Sequence, residues 1–242
     1  MTRTGDKPST PRRATRQRTR PAPASAATSS GKDAVEPATE HNAAGRTHAV
    51  RRDEAERRLL AAAVSIVADR GIEGMTLAEV GEVAGYSRGL PGHYFGRKSD
   101  LVVAVASHIA DGFANRLAQT STRQPGLDSV LYGVAAYFNG ALRGPANTRA
   151  LLIALAEALT EPVLSDAMSG VTQRSVGRLR SMIRQGIERG EIRRDVNPQA
   201  QAVMILGTLR ASVAQWTTDP ERIDLNVLRD HYVAALQRSL AA

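Results

Sequence analysis

The chain has 242 residues, of which 42% are hydrophobic, with a formal net charge of +8 and no cysteine. This length can bury the core of one or two domains, whereas the lack of cysteine excludes a disulfide-stapled scaffold and a thiolate zinc site. No apolar segment approaches the roughly 20 residues of a membrane-spanning helix, and no apolar stretch follows the basic start as in a signal peptide. We therefore expect a cytoplasmic protein without a membrane partner.

Residues 1–47 predict a disordered, basic tail. They are rich in Pro, Ser, Thr and Ala and hold almost no large apolar side chain, so burial cannot offset the entropy of ordering them. More than half of the excess positive charge lies in residues 1–50, which leaves the remainder only weakly basic. The tail either follows DNA phosphates without reading sequence or serves only to keep the chain soluble. Its basic cluster is Arg12, Arg13, Arg16, Arg18 and Arg20.

Two helices are expected directly after the tail. Apolar residues at helical spacing from residue 60 onward predict a first helix that ends near Gly71. Thr76 and Glu79 have the spacing of a capping box, and Met75 and Val80 have that of a hydrophobic staple. The second helix should therefore begin at Thr76.

A third, short helix is expected over residues 87–94. Gly85 interrupts the second helix, Ser87 can cap the next one, and Gly81 and Ala84 are small enough for two helices to cross closely. Two short helices joined by a glycine-containing turn are typical of a helix-turn-helix. The expected shared core is Leu77, Val80, Val83 and Leu90.

Pro91 bears on where the third helix starts. Counted from Ser87 as the cap, Pro91 is the fourth helical residue, where proline removes a backbone donor and clashes with the preceding turn. The helix is therefore either distorted at Pro91 or begins later than this count implies.

The segment from Ser87 to Leu101, SRGLPGHYFGRKSDL, resembles the signature of TetR-type transcriptional regulators. The resemblance implies a three-helix DNA-binding domain, here residues 48–96, followed by a helical bundle, residues 97–242, that binds a small ligand and pairs two subunits. The chain departs from the family at Gly81, usually alanine, and at Pro91 and Gly92, usually leucine and tyrosine. The matching positions are Thr76, Ala84, Gly85, Ser87, Gly89, Tyr94, Phe95, Lys98 and Leu101.

The predicted DNA-binding residues lie in and around the third helix. By the resemblance, Thr76, Tyr94 and Lys98 are phosphate contacts. Arg88 and His93 are expected to project from the exposed face of the helix toward base edges, and an arginine there can pair with guanine in the major groove. The full predicted set is Thr76, Ser87, Arg88, Gly89, His93, Tyr94 and Lys98.

The second domain is expected to be entirely helical. An amphipathic stripe over residues 127–142 ends at Gly144-Pro145, and residues 150–159 are apolar nearly all round. Pro162 opens a helix to about residue 189, Asn197-Pro198 opens one to Trp216, and a last helix covers about residues 224–240. The fold predicted for the whole chain is therefore all-α.

Five residues are candidates for lining a ligand pocket. The aromatic candidates can instead belong to the hydrophobic core. The glutamate, if it is buried, needs a partner such as a cationic ligand. Alternatively, it faces solvent near the end of its helix. The arginines between residues 174 and 194 either bind an acidic ligand or form a solvated face. The pocket candidates are His108, Phe113, Tyr137, Phe138 and Glu157.

Wide apolar stripes on the last two helices predict an interface with a second copy of the chain. Small residues such as Gly207 and Ala211 would let the paired helices approach closely. The predicted interface residues are Val203, Leu206, Leu209, Val213, Trp216, Leu228, Tyr232 and Leu236.

The five histidines are scattered singly, without metal-ligand spacing and without a nearby nucleophile, so we expect no metal, no cofactor and no catalytic residue. The predicted function is that of a repressor that binds a pseudo-palindromic operator in double-stranded DNA as a homodimer and is released by a small-molecule effector. Two alternatives remain: a constitutive DNA-binding or adaptor protein without a ligand, and an all-helical enzyme.

Overall fold

The structure is a computed structural model that describes the backbone of residues 38–120 and 125–242, with side chains from residue 49 to 119 and from 125 onward. These residues form α-helices and contain no β-strand, which confirms the all-α prediction for the described ranges. The basic cluster predicted in the tail lies outside them. The helices are α1 Ala38–Arg70, α2 Leu77–Val83, α3 Leu90–Phe95, α4 Lys98–Thr120, α5 Leu127–Arg143, α6 Pro145–Glu157, α7 Pro162–Glu188, α8 Pro198–Thr218 and α9 Leu225–Leu240.

Helix α1 begins at Ala38, earlier than the sequence predicted. The expected boundary of the tail after residue 47 therefore falls inside a helix. Residues 38–49 lack large apolar side chains, which favoured disorder, but they hold several alanines and no proline. Because alanine has the highest helix propensity, this composition also suits the extension of a helix that is anchored by its later turns.

Half of the capping box predicted before α2 is present, because the Glu79 carboxylate pairs with Arg70 rather than with the Thr76 N–H. The Thr76 hydroxyl accepts a hydrogen bond from the backbone N–H of Glu79 at 3.2 Å. Val80 is fully buried, but Val83, which we expected in the core, is 57% exposed. Val83 is the last residue of α2, and the chain turns away at Gly85 with a φ of 78°, so its side chain stays at the surface.

Helix α3 begins later than residue 87, which settles the two alternatives raised by Pro91. Gly89 is the N-cap and Pro91 lies in the first turn, where its missing N–H has no helical partner to lose. Ser87 is not the side-chain cap that we predicted; its carbonyl accepts the N–H of Leu90 at 3.1 Å. The late start lets α3 keep its proline without a break.

Gly81 allows α2 and the turn before α3 to touch. A Cβ at this position would lie 2.4 Å from the Ser87 carbonyl oxygen and 3.2 Å from Cδ of Pro91. The Gly81 carbonyl in turn accepts the Tyr86 N–H at 2.8 Å. The close helix crossing that the sequence predicted at Gly81 is therefore present, and the contact is with backbone that cannot rotate away.

Gly81→Ala should therefore lower the free energy of unfolding by about 0.5–2 kcal/mol. Overpacking against fixed backbone costs about 1–3 kcal/mol, which outweighs the roughly 0.5–1 kcal/mol that alanine usually adds to a helix. Thermal and urea denaturation measure the change. Gly89→Ala is the matched control, because a Cβ there meets nothing within 4 Å. Equal stability of the two variants would contradict the assigned contact.

Two hydrophobic cores organise residues 44–242, which form one compact unit. The first core joins α1 and α2 to the buried faces of α4, α6 and α7, and the second joins α5, α7, α8 and α9. Helix α4 contributes Leu101, Val102 and Val105 to the first core. The predicted domain boundary at residue 96 thus separates segments that share one core.

The predicted starts of the last two helices are confirmed by their caps. The Asn197 side chain accepts the N–H groups of Gln199 and Ala200, both at 3.0 Å, and Pro198 follows in the first turn of α8. The Asp224 carboxylate accepts the N–H of Asn226 at 2.8 Å at the start of α9. Side-chain oxygens at an N-cap satisfy backbone donors that the helix itself leaves unpaired.

Candidate DNA-binding surface and ligand cavity

All the predicted DNA-binding residues lie on the segment that runs from the cap of α2 to the first residue of α4. Most are exposed, and Tyr94 and Lys98 are half-buried. Two of them hold this segment against neighbouring backbone. The Tyr94 hydroxyl donates to the Arg52 carbonyl oxygen at 3.4 Å, and Lys98 Nζ donates to the Glu73 carbonyl oxygen at 3.2 Å. Because an ammonium group has three donors, Lys98 can still reach a phosphate.

The two predicted base-reading side chains are exposed. Arg88 Nε lies 3.3 Å from a carboxylate oxygen of Glu82, and both side chains are more than half exposed. Such a surface pair contributes little and is easily exchanged for another partner. The His93 ring lies edge-on to Tyr94, with a centroid distance of 6.2 Å. Both side chains are therefore accessible to a DNA groove.

Sequence reasoning missed Arg52 as part of this surface. Its guanidinium lies 6.0 Å from the centroid of the Tyr94 ring, so it adds a positive charge next to a predicted phosphate contact. The available signal was the run of charged residues over 51–58 in the sequence of the first helix. The contact of Arg52 on α1 with Tyr94 on α3 brings this part of α1 next to the predicted DNA-binding residues.

A cavity of about 380 Å³ lies between α4, α5, α6, α7 and α8. Its walls are mainly apolar, with a few polar groups, which is the usual composition of a small-molecule site, and its volume is within the usual range. Apolar lining residues include Ile109, Phe113, Leu117, Leu151, Met182 and Leu206. Polar lining residues include Tyr137, Asn147, Ser175, Arg178 and Arg210.

Phe113 and Tyr137, two of the five pocket candidates, line the cavity. Their rings meet at 5.6 Å with an interplanar angle of 78°, an edge-to-face contact. Burial raises the pKa of the Tyr137 hydroxyl, while the nearby Arg210 opposes that rise. Tyr137 is therefore a neutral hydrogen-bonding group in the wall.

The other three pocket candidates do not line the cavity. Phe138 follows Tyr137 directly, which turns it about 100° around α5 into the second core, where it packs on Tyr232. His108 is exposed on α4. Glu157 is the last residue of α6, where its carbonyl accepts the N–H of Glu161. The structure therefore places these three side chains outside the cavity.

Arg210 is the functional candidate that sequence reasoning missed. Its Nη1 donates to the Thr172 hydroxyl at 3.0 Å, and its Nε is buried without a hydrogen-bond partner among the described residues. Burial lowers the pKa of Arg210, because the charged form loses hydration. The available signal was that Arg210 is the one charged residue in the sequence of α8.

The structure corrects half of the predicted dimer interface. Four of the eight residues are buried inside the protomer, and three others pack partly against the second core. Of the predicted set, Val203 remains half-exposed. The buried residues are Leu206, Leu209, Val213 and Leu236, and the partly buried ones are Trp216, Leu228 and Tyr232. Leu206 and Leu209 line the cavity instead.

The apolar surface that α8 and α9 do expose has other members. Met204 is 62% exposed and Val227 of α9 is 60% exposed. Residues spaced by three or four positions share one side of a helix, so the exposed members of α8 form a stripe. We call this surface the α8/α9 face: Val203, Met204, Gly207, Ala211 and Val227.

Within residues 49–119 and 125–242, no three His, Asp or Glu side chains are grouped so that they could hold a metal ion. None of the helices in the described ranges is both long and apolar enough to span a bilayer.

Comparison with known families agrees with this architecture. Residues 59–105 match the profile of bacterial regulatory proteins of the tetR family, and residues 127–235 match the tetracyclin repressor-like C-terminal domain. The chain belongs to the TetR family. It is a DNA-binding transcription regulator, as the sequence predicted.

Individual relatives of this TetR-family protein are distant in sequence. The fatty acid metabolism regulator protein of Bacillus subtilis is 21% identical over 178 residues, which are 74% of this chain and 91% of that protein. A TetR-family regulator from a Rhodococcus species has a TM-score of 0.72 at 24% identity, covering 78% and 100% of the two chains. FadR from Bacillus subtilis in complex with stearoyl-CoA has a TM-score of 0.69 at 18% identity, covering 76% and 98%.

Proposed function

We propose that this TetR-family protein represses transcription by binding a pseudo-palindromic operator as a homodimer and is released when a small molecule occupies the cavity between α4 and α8. The protein acts by binding alone, with no catalytic step. Helix α3 enters the major groove with Arg88 and His93 toward base edges, while Thr76, Ser87, Gly89, Tyr94 and Lys98 hold the register on the phosphates.

One observation carries this proposal: helix α4 belongs to both sites. Its first residue, Lys98, lies beside the reading helix, and its later turns supply Ile109, Phe113 and Leu117 to the cavity wall. A packed helix moves as a unit, so a ligand that displaces the cavity end of α4 also shifts its DNA end. The ligand changes DNA affinity only to the extent that it binds the released state more tightly.

The α8/α9 face supports the homodimer. It is apolar and exposed, whereas the opposite side of α8 is buried in the protomer core. Gly207 and Ala211 have small side chains that permit close approach of a second α8. Two-fold pairing would place two copies of α3 about one DNA turn apart, or a multiple of it, which requires an operator with internal symmetry.

The effector is unidentified, and the mainly apolar cavity favours a ligand with an apolar body. FadR, which has the same fold, was solved with stearoyl-CoA. An acyl chain is therefore one candidate for the body of the ligand in this protein.

The decisive experiment is selection of bound sequences from random DNA, followed by release assays with a metabolite panel. A pseudo-palindromic operator that is released by at least one compound is the expected result. An operator without internal symmetry would contradict dimeric binding. Operator binding that no compound weakens, together with a cavity that binds none of them, would favour the constitutive DNA-binding alternative.

Lys98→Ala and Arg88→Ala should separate phosphate contact from base reading. Lys98→Ala should weaken binding to operator and random DNA alike and reduce the salt slope by about 1 per subunit. Arg88→Ala should cost about 1–3 kcal/mol on the preferred base and relax the preference there. Titrations of both DNAs at several salt concentrations measure these effects.

The control for net charge is Arg184→Ala, because Arg184 is exposed on α7 and pairs with Glu188 at 3.7 Å, away from the reading helix. It should leave both affinities unchanged. If Lys98→Ala impairs the operator alone, the phosphate assignment is wrong, and an unaltered base preference in Arg88→Ala removes that residue from the reading set.

A further inference from the structure

The inference concerns the chemistry of the effector and rests on the cavity being the effector site, as proposed above. Arg210 lies in the middle of α8 and lines the cavity between α5 and α7. Its Nη1 donates to the Thr172 hydroxyl at 3.0 Å, and Tyr137 lies near the guanidinium. Both neighbours are neutral, so they satisfy hydrogen-bonding groups without compensating the positive charge.

The other cavity arginine with a described ion pair has its counter-charge within the protein. Arg178 lies 3.7 Å from an Asp111 carboxylate oxygen on α4. Among the described residues, no carboxylate pairs with Arg210, and its buried Nε has lost water without gaining a partner. A buried charge without a counter-charge is costly, and proteins remove that cost by pairing the charge.

The remaining walls restrict what the missing counter-charge can be attached to. Away from Arg210 the cavity wall is mostly apolar, with side chains such as Phe113, Leu117 and Met182. Two further arginines, Arg116 and Arg178, also line it, but each already has an interaction within the protein. Because most of the wall is apolar, a ligand with charge along its whole length would leave most of those charges unpaired. The complementary molecule has one negative charge at one end and an apolar body.

We propose that the effector is an apolar monocarboxylate whose carboxylate pairs with the Arg210 guanidinium inside the cavity. The planar guanidinium presents N–H donors in a fork that matches a carboxylate, and such charge-assisted pairs are stronger than neutral hydrogen bonds. The neutral Tyr137 hydroxyl stands next to this pair as a further donor. The apolar body lies along α4 and α5, where it touches the helix that leads to the DNA surface.

Calorimetric titration of the DNA-free protein tests the proposal with probes that share one tail. Dodecanoate, 1-dodecanol and dodecylamine, below their micelle concentrations, differ in head-group charge. The wild type should bind dodecanoate at least tenfold more tightly than dodecanol and should bind dodecylamine most weakly. A hydrogen-bonded ion pair of this kind corresponds to a change of about 10- to 100-fold in affinity.

Three variants assign that preference to one side chain. Arg210→Met should weaken dodecanoate about 10- to 100-fold and leave dodecanol nearly unchanged, whereas Arg210→Lys should retain part of the preference. Arg184→Met, at an exposed arginine of α7, should change neither affinity. Arg210→Met should also melt at the same temperature as the wild type or higher, because it removes a partly buried charge that has no counter-charge among the described residues.

Several outcomes would overturn the proposal. These are equal wild-type affinities for dodecanoate and dodecanol, an unchanged preference in Arg210→Met, a clearly lower melting temperature for that variant, or no binding of dodecanoate. Preferential binding of dodecanoyl-CoA that is insensitive to Arg210→Met would show that the acyl chain enters the cavity as a thioester, without a carboxylate that pairs with Arg210. Release assays distinguish this proposal from the proposed function. If another compound releases the operator, the proposed function stands. If dodecanoate binds without releasing DNA, an apolar monocarboxylate is not the effector.

Discussion

Met204→Glu is expected to split the dimer and to weaken operator binding by about 100-fold or more. Met204 lies in the α8/α9 face and is 62% exposed in the protomer, so the glutamate is harmless in the monomer. In the dimer the same carboxylate would be buried against a second α8 without a partner. Two linked reading helices bind with an effective concentration that raises avidity by about 10²- to 10⁴-fold, and separate monomers lose that gain.

Ultracentrifugation and operator titration measure the two effects, and circular dichroism checks the fold. Met204→Leu conserves volume and apolarity, so it should remain a dimer with normal affinity. Leu209→Glu changes a residue that the sequence placed in the interface, but it should destabilise the protomer instead, since Leu209 is 3% exposed. A Met204→Glu variant that stays dimeric would place the interface elsewhere.

Phe138→Ala is expected to lower the free energy of unfolding by about 3–5 kcal/mol. The Phe138 side chain is fully buried in the second core and packs on Tyr232, with ring centroids 6.5 Å apart. Truncation leaves a cavity that the surrounding helices fill only partly. Urea denaturation measures this loss.

Phe113→Ala provides the contrast, because Phe113 lines the existing cavity rather than the closed core. It should cost less stability than Phe138→Ala and should change the affinity for a bound probe such as dodecanoate. Equal losses of stability in the two variants, with equal effects on binding, would contradict the separation of cavity wall from core.

The sequence was sufficient to predict features that depend on interactions between residues close together in the chain. Thr76, Asn197 and Asp224 cap helices because a side-chain oxygen reaches an N–H two or three residues away, a distance fixed by the chain itself. The helix-turn-helix follows from such caps, from Gly85 and from the apolar spacing around it. The sequence left the start of α3 open, because Pro91 allowed either a distorted helix or a later start, and the structure shows the later start.

The side of a helix that faces a neighbour depended on the tertiary structure. Tyr137 and Phe138 are adjacent and both aromatic, yet one lines the cavity and the other closes the second core. In α8 the apolar residues surround the helix, so hydrophobicity alone could not separate buried Leu209 from exposed Met204.

The sequence by itself thus determined the helices, the helix-turn-helix and the family, because these depend on spacing along one chain. Only the tertiary structure decided that α4 connects the reading helix to a cavity, that Arg210 enters that cavity without a counter-charge, and that the exposed side of α8 is its Met204 side. Each of these features depends on how several helices pack together. The periodicity of a single helix does not show which of its sides packs against which neighbouring helix.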